Sequence, residues 1–269
     1  MSDDAEAVLD AARTALCAAG GDSLVALYAL GSAAQGCLAP AVSDMALLAV
    51  VDDAAAPDAA ARLEQAVSAL AAEGGLAARL RLLAATPAAL SGPAAALSGP
   101  AAAPLGLRAH DRLDLLEHGR LLHGDDVRAA ATRPTPAELV IDSARFALEE
   151  LAEPLPSAGA LVAGGVRVLT RRVLLPARLL FAAATGLAAR NDDAAAWYAA
   201  EGRPSAELVA EAFFWRTEPP DLDLAEALVA AQLVSLYCEL TLDLRRRLLE
   251  LGEEALAEQV RIWSLRVEP

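Results

Sequence analysis

Gly31-Ser32 and Gly36, followed by Ser43-Asp44, are the residues of this chain whose types and spacing suit chemistry. A Gly-Ser turn that ends an apolar run and opens a helix aims backbone N–H groups and a hydroxyl at one point, an arrangement that cradles phosphate. The same turn with no ligand is an ordinary strand-to-helix turn with Ser32 as N-cap. Asp44 opens a second apolar run, Ala46-Leu47-Leu48-Ala49-Val50-Val51. Three arginines form a second candidate. At about 100° per residue, Arg167, Arg171 and Arg178 fall on one stripe of a helix, where they bind a triphosphate or pair as a solvated face with nearby carboxylates. His110, His118 and His123 lie close together but match no zinc spacing, and they read as helix-surface and turn residues. Ser32, Ser43 and Cys37 have no histidine near them in sequence to act as a base.

These residues need elements to position them. Residues 3–19 predict a helix, with Ser2 as N-cap and Gly20-Gly21 as its stop. Residues 24–30 and 46–51 predict two short buried strands, 58–73 a helix and 77–84 a third strand, an α/β arrangement. Residues 86–106 are of low complexity: Ala-Ala-Leu-Ser-Gly-Pro occurs at 88–93 and again at 95–100, a loop expansion. Beyond His110 the periodicity is helical, over 137–152, 158–188, 192–201, 205–216, 223–250 and a last piece to 267, and no strand is expected there. Thr132-Arg133-Pro134-Thr135-Pro136 breaks the chain. The expected domains are 1–132, α/β, and 133–269, an all-α helical bundle with Phe213, Phe214, Trp215, Trp197 and Tyr198 in its core.

Leu30-Gly31-Ser32-Ala33-Ala34-Gln35-Gly36 with Ser43-Asp44-Met45-Ala46-Leu47-Leu48 resembles the nucleotidyltransferase superfamily, in the branch of antibiotic adenylyltransferases with a helical C-terminal domain. His118-Gly119-Arg120-Leu121-Leu122-His123-Gly124-Asp125 is similar to the segment that closes the family's N-terminal domain. Thr170-Arg171-Arg172, Thr185-Gly186 and Ala194-Ala195-Ala196-Trp197-Tyr198 are similar to its helical domain. The resemblance implies that Gly31, Ser32, Gly36 and Ser43 hold the phosphates of an NTP, with Arg167, Arg171 and Arg178 in support. It implies that Asp44 ligates Mg²⁺, and that a nucleotide and a small, cationic acceptor meet between the domains.

The family pattern needs two carboxylates two residues apart on one strand and a third on a neighbouring strand, which together hold two metals for in-line transfer. Ala46 stands at the second position, and 77–83 carries no acidic residue. Asp52 has the strand parity of Asp44 but lies roughly 26 Å along the chain. The resemblance therefore implies a nucleotidyltransferase-like protein with lost or severely reduced catalysis that retains a nucleotide. Two alternatives stand beside it: an active Mg²⁺-dependent transferase with relocated ligands, and a non-enzymatic interaction module, joined to a protein partner or a second copy. Restoring Ala46→Asp alone is expected to raise Mg²⁺ affinity but leave transfer poor.

The chain has 269 residues, 37 acidic against 22 basic, for a net charge of −15. Every basic residue other than histidine is arginine, which excludes a P-loop and a Schiff-base lysine. So negative a charge disfavours broad nucleic-acid binding and anionic membranes. The acidic first residues lack the pattern of a signal peptide, the most apolar stretch, 161–189, is interrupted by arginines, and three widely spaced cysteines suit reduced thiols. A cytoplasmic, soluble protein is expected.

Overall fold

The computed structural model describes residues 3–92 and 107–267; Ser2 and the second hexapeptide copy lie outside them. The chain divides into two compact units, Met1–Pro134 and Thr135–Pro269.

The first unit runs α1 Asp3–Gly20, β1 Leu24–Leu30, α2 Gly31–Ala34, β2 Met45–Val51, α3 Ala56–Ala71, β3 Leu80–Ala85, α4 Ala109–His118 and β4 Arg120–Gly124. Its sheet has the order β3-β2-β1-β4, with β2 and β3 parallel and the other neighbours antiparallel. Both faces of β1 and β2 are covered, which is why these strands read as continuous apolar runs rather than alternations. Leu27, Met45 and Leu47 pack with Leu9 and Leu16 of α1 and Leu63 of α3, while Tyr28, Leu30, Leu48 and Val50 pack on the opposite face with Leu115 of α4.

Strand β4 corrects the expectation that no strand follows His110. It is a five-residue edge strand, largely exposed, and carries neither an apolar run nor a clean alternation. Pairing with β1 supplies the order that its own sequence does not encode. Its last residue, Gly124, has φ +80°, and a Cβ there would lie 2.0 Å from the Val25 carbonyl oxygen, so the close approach to β1 admits only glycine.

The second unit is helical: α5 Pro136–Leu151, α6 Ala158–Ala163, α7 Val166–Thr185, α8 Asn191–Ala200, α9 Ala206–Phe214, α10 Leu222–Glu250 and α11 Glu254–Val267. Thr135 and Glu138 form a reciprocal capping box that starts α5, with Pro136 at the first helical position. The single helix expected over 158–188 is two helices, because Gly164-Gly165 interrupts it and Gly165 has φ +88°. Pro176 lies inside α7 without ending it. Proline has no N–H to return to the carbonyl four residues earlier, and Tyr237 of α10 donates its hydroxyl to that carbonyl, Arg172 O, at 3.1 Å.

The aromatic core contains Tyr198, Trp215, Tyr237 and Trp263, but Phe214 is 54% exposed, contrary to expectation. Helix α10, not the 161–189 stretch, is the one element among the described residues long and apolar enough to cross a bilayer. It packs into the second unit through Leu228, Leu233, Leu236, Leu240, Leu244 and Leu248.

Candidate functional site

The sheet brings the phosphate motif and the carboxylate motif to one end. Leu30, the last residue of β1, pairs with Ala46 of β2, and Ala46 pairs in turn with Arg81 of β3. The Gly31 turn, Asp44 and the first residues of β3 therefore share an edge of the sheet. Asp44, Ala46 and Arg81 also share a face, because side chains two residues apart on a strand point the same way and Ala46 and Leu83 pack on the α4 side.

Gly31 has φ +61°, a left-handed turn that suits glycine. Its N–H does not face open solvent. It donates to Asp114 Oδ2 of α4 at 2.5 Å, and the Gln35 side-chain amide donates to Asp114 Oδ1 at 2.7 Å. An internal carboxylate thus holds the donor expected to meet phosphate. Nor does the alternative reading of Ser32 as a cap hold: the N-cap of α2 is Leu30, with no side-chain cap. Gly36 follows α2 with φ +71° and serves the turn. Ser43 is spent on its own loop, its Oγ accepting from the Ala39 N–H at 3.0 Å and its N–H donating to the Ala39 carbonyl at 2.8 Å. The guanidinium of Arg79 closes the same loop on the Pro40 carbonyl.

Asp44 faces a cation. Arg81 Nη1 lies 3.6 Å from Asp44 Oδ2, with the arginine side chain 57% exposed. The strand that the family pattern would furnish with a third carboxylate thus presents a guanidinium at the level of the second. Asp52, Asp125 and Asp126 do not repair the set. Asp52 follows the far end of β2, where it accepts from the Ala54 N–H and starts a short 3₁₀ turn. The Asp125 N–H donates to the Val25 carbonyl, near the end of β1 remote from Gly31. Asp126 accepts from the Tyr28 hydroxyl at 3.0 Å and is gripped by Arg128 through Nε and Nη2, which holds its carboxyl far below the usual carboxylate range. Tyr28, fully buried and facing that charge, is pushed up to about 12.

No group of three or more His, Cys, Asp or Glu side chains gathers as a metal site among the described residues. One carboxylate already paired with an arginine does not fit Mg²⁺, which takes a near-octahedral shell of oxygens.

Two of the three candidate arginines of α7 reach separate targets in the second unit. Arg171 Nη2 lies 2.5 Å from Glu150 Oε2 of α5, and Arg178 Nε donates to the Ala189 carbonyl at 2.7 Å. Arg167 is exposed at the start of the helix. Cys17, Cys37 and Cys238 are free thiols.

Sequence reasoning missed Asp114 and the positive role of Arg81. Asp114 lies between the buried Leu113 and Leu115 in a short helix with nothing local to mark it. Arg81 was legible only as the absence of an acid, because its partner is set by the parallel register of β2 and β3. No known protein family matches the chain, and no curated protein matches it at a significant level.

Proposed function

We propose that this chain is a nucleotidyltransferase-like protein that does not catalyse nucleotidyl transfer. The observation that carries the reading is the Asp44–Arg81 pair beside Ala46: the one remaining carboxylate of the expected metal set is neutralised by a guanidinium on the neighbouring strand. A Gly-Ser turn between the first two strands, an aspartate opening the second strand and a helical second unit support the family part of the reading. Transfer through two Mg²⁺ ions requires a gathered set of oxygen ligands, and among the described residues of this edge Asp44 is paired with Arg81 while Asp114 is engaged by the Gly31 N–H and the Gln35 amide. The protein is read as cytoplasmic, with no broad affinity for nucleic acid or membrane, on its acidic charge and free thiols.

The contact of Asp114 with the Gly31 N–H favours a second reading, in which the fold serves protein interaction and the nucleotide has been given up. Calorimetric titration with ATP, CTP, GTP and UTP, with and without Mg²⁺, separates the two. Micromolar binding without turnover supports a retained nucleotide; no binding supports the interaction reading. Turnover of any NTP onto an aminoglycoside or other hydroxylated amine at ordinary enzymatic rates overturns the proposal.

A further inference from the structure

An arginine stands where a metal ion would have to be neighboured by carboxylates. Arg81 pairs in register with Ala46, shares its sheet face, and reaches Asp44 at 3.6 Å. A guanidinium keeps its charge throughout the physiological pH range and is not displaced by deprotonation. A divalent cation bound to Asp44 and to a carboxylate at position 46 would lie within a few ångströms of that charge, where the repulsion between them is strong.

We infer that Arg81 takes the place of the metal, so that the mouth of β2 excludes divalent cations by means of a cation built into the fold. The inference rests on reading the first unit as nucleotidyltransferase-like, and it goes beyond the missing carboxylate at position 46. A new carboxylate at position 46 becomes a second partner for Arg81 before it becomes a metal ligand. The Ala46→Asp repair that the sequence alone recommends is therefore insufficient even for metal binding.

The test uses Mn²⁺ as probe on the full chain. The chain has two methionines, Met1 and Met45, and Met45 follows Asp44 directly, so paramagnetic broadening of its ¹³C-methyl signal, which falls steeply with distance, reports metal near this position far more strongly than metal at remote sites. Wild type and Ala46→Asp are expected to show equally weak broadening, within about threefold in apparent Kd, whereas Ala46→Asp/Arg81→Gln binds at least about tenfold more tightly. The inference is overturned if Ala46→Asp alone binds as tightly as the double variant, or if the double variant gains nothing over Ala46→Asp. A melting curve accompanies each variant, and Ala46→Asp/Arg81→Thr, which removes the charge without adding a carboxylate, replaces the double variant should glutamine disturb the strand. A transfer assay on wild type reports separately: turnover there sinks the functional reading, while the Mn²⁺ series alone decides the role of Arg81.

Discussion

Two arginine–carboxylate pairs, one in each unit, use the same chemistry to different ends. Asp44 and Arg81 meet at 3.6 Å at an open edge of the sheet, with the arginine mostly in water. Glu239 and Arg203 meet among the helices of the second unit, each about four-fifths covered. Glu239 accepts from Arg203 with one oxygen and from the Tyr198 hydroxyl with the other, and the Arg203 guanidinium lies over the Trp197 ring at 4.1 Å. The second pair is held by the Tyr198 hydroxyl and the Trp197 ring and binds α8 to α10. In the first the aspartate is covered to a similar degree but the arginine stands mostly in water, which competes for it, so the consequence of that pair is electrostatic and local. An ion pair reveals its role through what else each partner touches.

The largest effect should come from the covered pair. Glu239→Ala strands both Arg203 and the Tyr198 hydroxyl and is expected to cost about 2–3 kcal/mol. The three tryptophans, at 197, 215 and 263, all lie in the second unit, so their fluorescence in urea reports that unit alone. A loss below about 0.5 kcal/mol would erase the contrast.

Alkaline titration sharpens it further. All three tyrosines are fully buried. Burial and the Glu239 charge push Tyr198 far up, while Tyr28 and Tyr237 rise to about 12. A raised tyrosine stabilises the fold below its unfolded value, about 10, and that contribution is lost as pH rises through the folded value. Absorbance at 295 nm should therefore show almost no tyrosinate in the native protein at pH 10.5 and roughly three-quarters of the three tyrosines ionised on unfolding. A tyrosine titrating normally in the native state would show the cluster to be open to water.

Asp126 supplies an acid counterpart in the first unit. Its lowered pKa stabilises the fold above the unfolded value, about 3.9, and the contribution is lost as pH falls from there through the folded value. Hydrogen exchange in β1 should be faster in Asp126→Asn than in wild type at pH 7, with the gap closing below pH 4; a gap constant with pH would refute the assignment. The smallest effect belongs to the pair whose arginine is exposed. Asp44→Asn and Arg81→Gln should each move stability by less than about 1 kcal/mol. A larger loss would make the open edge a structural joint like the covered one.

Burial and punctuation decided what was legible in the sequence. The strands at 24–30 and 45–51 could be read to within a residue because both of their faces are covered and glycine or aspartate brackets them. Strand β4 could not, because its order comes from its partner. The break at Gly164-Gly165 was overlooked because apolar periodicity continues across it. At the candidate site the turn and Asp44 were legible as a local pattern. Asp114 and Arg81 act across 83 and 37 positions of chain, and such pairings are fixed by packing and strand register, which no local spacing reveals.

Pro176 and Tyr237 carry a lesson about inheritance. The proline takes a donor from its own helix, and a hydroxyl from another helix returns one to the same carbonyl. Either side chain alone is a liability or a redundancy. A lineage that first lost the tyrosine would pass through a less stable protein, whereas one that first exchanged the proline for alanine would then be free to lose the hydroxyl. The order of two substitutions 61 positions apart is thus constrained by one hydrogen bond.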